Sequence, residues 1–338
     1  MREPAFWYRP RSLQSHALWP LGALYGAITE RRMLGKGVDA GIPVICVGNY
    51  HVGGAGKTPT VLALTKLLRE LGETPVVLSR GYGGRLQGPV MVDRERHTAT
   101  DVGDEPLMMA RDVPVAVARD RLDGVALAKS RGATVILMDD GFQNPSLLKD
   151  TSLIVIDSER GLGNGAVFPA GPLRAPLQAQ LARTDALVLI GDGRAANDVA
   201  AELAKRNRPE LRARLKPDAA SLAQLLGRRV FAFAGIGDPQ RFFRTLQASG
   251  IEVTRTRRFD DHHMFSREEL AALAAEAQRE QLTLVTTEKD LARLHGSEGV
   301  PAGIVPFAVQ LEFDDPAKLR QLISNQLYKA RERRFTRR

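Results

Sequence analysis

The stretch Gly53-Gly54-Ala55-Gly56-Lys57-Thr58 decides the fold of this chain. It follows an apolar run at residues 42–47 and precedes a helical pattern at residues 60–71. A strand, a glycine-rich turn and a helix N-terminus in this order bind phosphate, because the backbone N–H groups and the helix dipole both favour an anion. The sequence therefore predicts a P-loop in which Lys57 reaches the β- and γ-phosphates of ATP and the Thr58 hydroxyl binds Mg²⁺.

The loop departs at one position from the common GxxxxGK[ST] pattern. His51 stands where that pattern has its first glycine, and the pair Gly53-Gly54 instead matches the shorter GGxGKT form. The alternative interpretation is an ordinary glycine turn between a strand and a helix. The Lys57-Thr58 pair, with a strand before it and a helix after it, favours the nucleotide site.

A second marker of nucleotide chemistry follows another apolar run. Residues 134–138 are continuously apolar, as expected of a strand buried on both faces of a parallel sheet, and they end in Asp139-Asp140. A carboxylate at this point can hold Mg²⁺ from the side opposite the phosphates. The alternative is a strand that ends in a polar turn, since Asp-Gly is a common turn pair. The sequence does not decide which of Asp139 and Asp140 would touch the metal.

The arrangement of apolar runs predicts an α/β fold of the P-loop NTPase type, with a doubly wound, mostly parallel sheet. Residues 192–225 are polar and are interpreted as a linker into a smaller C-terminal α/β domain. We expect an N-terminal helix region at 1–37, a P-loop kinase core at 38–210 and the smaller domain, with a basic tail, at 211–338. Strands are predicted at 43–47, 75–78, 113–118, 134–138, 153–156, 186–190, 230–234, 250–253, 283–287 and 303–309.

Composition and charge narrow the class of protein. The chain has 338 residues, 43% apolar content, one cysteine and a net charge of +9, which is a globular composition without a disulfide framework or zinc cluster. Residues 1–37 carry a net +4 and residues 329–338 a net +5, so the remainder is neutral. Two basic ends on a neutral body favour an anionic membrane surface over a nucleic-acid groove.

The N-terminus has further features of a membrane-surface segment. Both tryptophans, Trp7 and Trp19, lie within the first 25 residues, and the apolar run 17–28 has arginines on both sides. The run is too short to span a bilayer, which needs about 20 residues, but it suits an amphipathic helix that lies in the interface. The alternative is a helix packed on the protein's own core.

Eight clusters in this order carry a resemblance to a known family. Together they resemble the tetraacyldisaccharide 4′-kinases, the lipid A disaccharide kinases of Gram-negative bacteria, over essentially the whole chain. The clusters are GGAGKTP at 53–59, SRGYGG at 79–84, GDEPLMMA at 103–110, DDGFQN at 139–144, GNGAVFPAGPLRAP at 163–176, FAGIGDPQRFF at 233–243, DDHHMF at 260–265 and TTEKD at 286–290.

The resemblance implies a lipid kinase. Such an enzyme uses ATP and Mg²⁺ to phosphorylate the 4′-hydroxyl of an acylated glucosamine disaccharide 1-phosphate, forming lipid IVA at the cytoplasmic face of the inner membrane. The expected partners are this substrate and an anionic membrane, with no nucleic acid and no obligate protein partner. Two rivals remain open from the residues alone: a membrane-associated switch ATPase with a GGxGKT loop, and a cytosolic small-molecule kinase.

The resemblance also implies roles for individual side chains. It points to Asp104 as a base that works with a histidine of the second unit, His262 or His263, and of the two we favour His262. Arg174 resembles a family arginine near the active site that could hold phosphate, and Glu105 is a candidate for a metal or nucleotide role. Asp104 could instead cap a helix, and either histidine could be a surface loop residue.

One position departs from the family pattern. The family commonly reads Asp-Asp-Gly-Phe-Gln-His, whereas this chain has Asn144 after Gln143. Because an amide cannot take the place of an imidazole in proton transfer, Asn144 is expected to act at most as a hydrogen-bonding residue.

Overall fold

The computed structural model describes residues 3–295 and 300–336. A short 3₁₀ helix, Ala5–Tyr8, comes first. The α-helices are Leu13–Met33 (α1), Lys57–Glu70 (α2), Ala99–Val102 (α3), Asp104–Met109 (α4), Arg121–Ser130 (α5), Leu177–Leu181 (α6), Asn197–Lys205 (α7), Ala219–Leu225 (α8), Pro239–Ala248 (α9), Arg267–Glu280 (α10), Glu288–Leu294 (α11) and Pro316–Phe335 (α12). The strands are Val44–Gly48 (β1), Pro75–Ser79 (β2), Val90–Met91 (β3), Val115–Val117 (β4), Val135–Asp139 (β5), Thr151–Asp157 (β6), Ala186–Ile190 (β7), Glu210–Pro217 (β8), Arg229–Ala234 (β9), Glu252–Arg258 (β10), Thr283–Thr287 (β11), Val305–Phe307 (β12) and Val309–Phe313 (β13).

The larger sheet has nine strands in the order β13-β8-β7-β6-β1-β5-β2-β4-β3. Its seven central strands run parallel, and β3 and β13 pair antiparallel at the two edges. The strand order reverses at β1, which lies between β5 and β6. Ligands of doubly wound sheets bind at such a reversal, beyond the carboxyl ends of the strands. The predicted fold class is confirmed, and the P-loop leaves the sheet at this point.

Both faces of the sheet are covered, which explains why its strands are continuously apolar. In β1, Val44 and Cys46 belong to the core on one face, whereas Ile45 and Val47 belong to the core on the other. Successive side chains of a strand point to opposite faces, so a strand that is buried on both sides needs an apolar residue at every position. Cys46 is fully buried, and burial raises the pKa of its thiol to about 11.

The smaller sheet has four parallel strands in the order β10-β9-β11-β12. Helices α9 and α10 contribute to separate cores around it. After β12 the chain returns to the larger sheet, where β13 pairs antiparallel with β8 and α12 packs on the same core as α2. We call the larger sheet with its helices the first unit and the smaller sheet with its helices the second unit. Residues 309–335 therefore lie with the first unit, although the predicted boundary at 211 assigns them to the C-terminal domain.

The polar stretch 192–225, interpreted as a linker, contains α7, the whole of β8 and α8. Along β8, Leu211 and Ala213 are buried and Arg212 and Arg214 are exposed. This alternation is typical of a strand near the edge of a sheet with one solvent-facing side. The exposed arginines make the segment polar on average, which hides the strand from a search for continuous apolar runs.

Helix α1 is longer than the predicted apolar run and is oriented unusually. Its protein-facing side consists mainly of small residues, and its apolar side chains point outward. A Cβ added at Gly22 would lie 2.8 Å from the carbonyl oxygen of Val167, so only glycine allows this approach. The buried positions are Ser15, Gly22, Gly26, Thr29 and Met33, and the exposed apolar ones include Leu13, Trp19, Leu21, Leu24, Tyr25 and Ile28.

The amphipathic character expected of α1 is not confirmed, because the middle of the helix is apolar around most of its circumference. Charged residues such as Arg31 and Arg32 lie instead in its last turn. None of the helices in the described ranges combines the length and apolar content that a membrane crossing requires. Of the two tryptophans, Trp19 is exposed on α1, whereas Trp7 is buried and donates a 3.0 Å hydrogen bond to the carbonyl of Pro169.

Candidate active site

The P-loop has the backbone conformation that its glycines predict. Gly53 and Gly56 have φ values of +107° and +89°, and Gly56 is the N-cap of α2. A Cβ at Gly56 would also lie 2.4 Å from Cδ1 of Ile190. Two left-handed residues in a short loop turn its N–H groups towards one point at the start of a 14-residue helix. This geometry suits a bound phosphate chain.

His51 in the P-loop is a buried neutral histidine. Only 1% of its surface is exposed, and burial lowers its pKa to about 4. Its Nδ1 lies 2.9 Å from the carbonyl of Val52, and its Nε2 has no hydrogen-bond partner among the described residues. The buried side chain therefore adds no charge to the loop.

Lys57 and Arg174 converge on Asp140. Nζ of Lys57 lies 3.7 Å from Oδ1 of Asp140, and Nη1 of Arg174 donates a 2.7 Å hydrogen bond to the same oxygen. Nε of Arg174 also binds the carbonyl of His51, which fixes the guanidinium beside the P-loop. Burial alone would raise the pKa of Asp140, but the two cations lower it to about 2. Asp140 is therefore an ionised group that holds two cations in place.

Asp139, the preceding residue, has a different environment. It ends β5 and is almost fully buried, and Ser79 donates a 3.3 Å hydrogen bond to its Oδ2. Its Oδ1 has no hydrogen-bond partner among the described residues. Burial, together with the nearby carboxylates of Glu105 and Asp140, raises the pKa of Asp139 to about 7. A buried oxygen with an open lone pair at this place is suited to a cation.

Asp104 opens helix α4, and its carboxylate is saturated with donors. Oδ1 accepts a 2.9 Å hydrogen bond from the N–H of Glu105. Oδ2 accepts from Nδ1 of His262 at 2.9 Å and from Nε of Arg293 at 2.8 Å, and Nζ of Lys289 lies 3.9 Å away. Burial opposes ionisation, but these donors and cations hold the pKa of Asp104 well below its usual range.

The two adjacent histidines have different partners. His262, at a φ of +58°, contacts Asp104, and its ring lies 5.8 Å from that of the exposed Tyr82. His263 points away, since its Nε2 lies 2.9 Å from Glu269 and its ring stacks on Phe259. His262 has a left-handed backbone, a conformation typical of turns, and the two consecutive histidines bind different partners.

Comparison with known proteins shows the family. A family model described as tetraacyldisaccharide-1-P 4′-kinase, LpxK, matches residues 14–328. The tetraacyldisaccharide 4′-kinase of Bradyrhizobium diazoefficiens is 89% identical over 338 residues, covering 100% of both chains. That of Nitrobacter hamburgensis is 65% identical over 98% of this chain and 100% of its own. The chain belongs to the tetraacyldisaccharide 4′-kinase family.

A solved member of the kinase family has the same fold. The crystal structure of LpxK from Aquifex aeolicus in complex with ATP superposes with a TM-score of 0.71 and 28% identity, covering 94% of this chain and 100% of that one. The family resemblance recognised in the sequence is confirmed, and an ATP-using kinase is favoured over a switch ATPase.

Three cationic side chains at the site of this kinase have no role predicted from the sequence. Arg121 is buried, donates to the carbonyl of Ala118 and interacts with the charge of Asp139, and burial lowers its pKa. Lys289 lies 3.2 Å from Glu105, and Arg293 binds Asp104. Lys289 is part of the TTEKD cluster, which contributes to the family resemblance but suggested no chemical role for this lysine. Arg121 and Arg293 lie outside the clusters, and nothing in their local sequence distinguishes them from surface arginines.

Proposed function

We propose that this protein transfers the γ-phosphoryl group of ATP to the 4′-hydroxyl of a tetraacylated glucosamine disaccharide 1-phosphate, forming lipid IVA. The observation that carries the proposal is the hydrogen bond between Asp104 and His262, a carboxylate-imidazole pair of the kind that can accept the proton of a hydroxyl. The charge of Glu105, next to Asp104, contributes to the raised pKa of Asp139 at the end of β5, which supports a single site. Family membership supports the same reaction.

The P-loop residues hold the phosphates of ATP in this proposal. Backbone N–H groups of residues 53–58 surround the phosphate chain, and Lys57 neutralises the transferring group. Asp140 holds Lys57 and Arg174 on the same side of the cleft. When the γ-phosphoryl group is present, the planar guanidinium of Arg174 can bind two of its oxygens.

The residues at the end of β5 fit a magnesium ion. No group of three or more His, Cys, Asp or Glu side chains in residues 3–295 and 300–336 forms a complete metal cage. Mg²⁺ at phosphates, however, keeps water ligands and needs only one or two carboxylates. Asp139 has an open oxygen and Thr58 follows Lys57 in the P-loop, whereas Asp140 is occupied by two cations. Asp139 and Thr58 would hold the ion, and the carboxylate of Glu105 would add negative charge to the site. When bound, it neutralises charge between the β- and γ-phosphates.

The Asp104–His262 pair supplies the base. With Nδ1–H donating to Asp104, Nε2 of His262 carries the lone pair that accepts the proton of the 4′-hydroxyl. The hydroxyl oxygen then forms a bond to the γ-phosphorus, and the bond from that phosphorus to the bridging oxygen of ADP breaks. Asp104 remains ionised and stabilises the imidazolium that forms.

Helix α1 supports an assignment to the cytoplasmic face of the bacterial inner membrane. Its exposed side carries Trp19, Leu21, Leu24 and Ile28, which a globular protein in water would bury. Arginines in its last turn are placed to meet anionic head groups. Burial of the outward face in the lipid interface would keep the enzyme beside a substrate whose acyl chains stay in the bilayer.

Of the basic tail at 329–338, the last two residues lie outside the described part.

The direct test is an acceptor assay. Purified protein is incubated with Mg-ATP and the tetraacyl disaccharide 1-phosphate in mixed micelles, and the bis-phosphorylated lipid is followed by mass spectrometry. We expect product with the wild type and none with Lys57→Met. Lys66→Met removes an exposed lysine from the same helix and is the matched control. ATP hydrolysis without a phosphorylated lipid would overturn the proposal.

A further inference from the structure

Arg293 binds Asp104 directly and is linked to His262 through the carbonyl of Gly235. Its Nε donates a 2.8 Å hydrogen bond to Oδ2 of Asp104, the oxygen that also accepts from His262. Its Nη1 donates a 2.8 Å hydrogen bond to the carbonyl of Gly235, which also accepts from the backbone N–H of His262 at 3.1 Å. One guanidinium therefore binds the carboxylate and the peptide group that anchors the imidazole.

From this geometry we propose that Arg293 is the positioning residue of the reaction, which aligns Asp104 with His262 without touching the substrate. The inference rests on the proposed kinase function. A guanidinium suits this task because its donors are held in a rigid plane and can reach two acceptors at fixed angles, whereas a lysine ammonium offers one point charge.

The position of Arg293 is itself fixed. Its side chain is about 2% exposed, and Nη1 also lies 2.6 Å from Oδ1 of Asp290. Asp290 is fully buried, and its carboxylate accepts 3.1 Å hydrogen bonds from the N–H of Gly235 and a 2.7 Å bond from the hydroxyl of Thr287. Asp290 thus holds Arg293 from one side and the Gly235 peptide from the other. A side chain with this many restraints can define the orientation of its partners.

The arrangement fixes the tautomer of His262. Oδ2 of Asp104 is an acceptor for both Arg293 and Nδ1 of His262, and Oδ1 accepts from the backbone of Glu105. With both oxygens engaged, the carboxylate cannot rotate away, and the proton of the neutral imidazole stays on Nδ1. The lone pair is then on Nε2, which faces away from Asp104 and lies 3.8 Å from Oδ2 of Asp261, beyond hydrogen-bond distance. Loss of Arg293 would free Oδ2 to rotate and let the imidazole exchange tautomers.

The same contacts make the Asp104–His262 pair depend on the docking of the two units. Asp104 belongs to the first unit. The second unit contains Arg293, Asp290, Gly235 and His262. Helix α11 lies against α4, with Lys289 bound to Glu105 beside the Arg293 contact. The pair is therefore complete only when α11 is docked on α4.

Steady-state kinetics with ATP and the tetraacyl disaccharide 1-phosphate test the proposal. We expect Arg293→Gln to lower kcat about a hundredfold while KM for ATP stays near the wild-type value, because only the alignment of the base changes. Arg293→Lys should recover part of the loss. The matched control is Arg111→Gln, which removes another ion pair to α11, that with Glu288, without contacting Asp104. The control should keep the wild-type kcat.

Two further measurements separate positioning from general destabilisation. In an Asp104→Asn background, Arg293→Gln should cause little additional loss of kcat, because the two residues act as one unit. In ¹⁵N-histidine NMR at pH 9, His262 should show the Nδ1–H tautomer in the wild type and a mixture in Arg293→Gln. If Arg293→Gln fails to fold, Arg293→Lys is used for both measurements.

The outcomes are distinct. A single unchanged tautomer in the variant, or a loss of kcat that adds fully to that of Asp104→Asn, would overturn the positioning role. An equal loss in Arg111→Gln would assign the effect to docking of the units rather than to Arg293. Failure of the wild type to phosphorylate the lipid would overturn the proposed function, and the tautomer measurement would still decide whether Arg293 orders the pair.

Discussion

Asp104 and His262 are 158 positions apart in the chain, yet a 2.9 Å hydrogen bond joins their side chains. Asp104 opens a short helix of the first unit, and His262 lies in a loop that follows a strand of the second. The contact therefore forms through the packing of two separately built sheets. Any reaction that uses this pair depends on how these units dock.

We expect Asp104→Asn and His262→Gln each to lower kcat by about 10²- to 10⁴-fold, the usual contribution of a general base. KM for ATP should change little, because neither side chain belongs to the P-loop. The measurement is acceptor phosphorylation at saturating ATP. His263→Gln is the control, since His263 binds Glu269 instead of Asp104. Normal turnover in Asp104→Asn would remove that residue from the base role.

The two aspartates after β5 should respond differently to substitution. Asp139→Asn should weaken binding of Mn²⁺, used as a magnesium analogue, in the presence of a non-hydrolysable ATP analogue, because a neutral amide is a weaker metal ligand than a carboxylate. Asp140→Asn should weaken the alignment of Lys57 and Arg174 and therefore binding of the analogue itself. Electron paramagnetic resonance follows the metal, and calorimetry follows the nucleotide. Unchanged Mn²⁺ affinity in Asp139→Asn would exclude it as the ligand.

Charges on the outward face of α1 should release the protein from membranes. Leu24 and Ile28 are 62% and 51% exposed, so a Leu24→Glu, Ile28→Glu double variant should fold normally and bind phosphatidylglycerol vesicles less tightly. Leu226→Glu places a charge at a similarly exposed leucine of the second unit and should bind as the wild type does. Vesicle flotation measures both. Equal binding by all three proteins would contradict the interfacial helix.

His51 should make stability sensitive to acid. Its pKa is about 4 in the folded protein against 6.5 for an exposed histidine. At pH 5 the unfolded chain therefore binds a proton that the folded protein does not, so the stability present above pH 6.5 is lost as the pH falls towards 4. Between pH 8 and 5 we expect the wild type to lose about 2 kcal/mol more than His51→Asn.

Urea unfolding at the two pH values measures this difference. Parallel losses of stability in the wild type and in His51→Asn would show that His51 is not the group responsible.

The parts of the fold that could be predicted are those with continuous apolar runs or a local motif. Strands β1, β5 and β7 lie in the buried middle of the larger sheet, and their sequences show it at every position. β8 could not be found in this way, because half of its side chains face solvent. The return of β13 and α12 to the first sheet could not be predicted either, because strand pairing between distant segments leaves no local pattern.

The candidate site likewise has residues that could be predicted from the sequence and residues that could not. The P-loop is a contiguous motif, so its strand, glycines and lysine could be placed from the sequence. The residue that binds Asp104 most closely, Arg293, follows an ordinary helical pattern, and only the docking of α11 on α4 gives it a role.

The sequence by itself determined the P-loop, the doubly wound sheet and the kinase family, because these depend on short-range spacing and on which residues must be buried. The tertiary structure decided which histidine meets Asp104, which aspartate keeps an open oxygen and which side of α1 faces outward. These depend on directions of side chains brought together from distant parts of the chain. A spacing in the sequence specifies a local conformation, but not the distance between two segments that pack against each other.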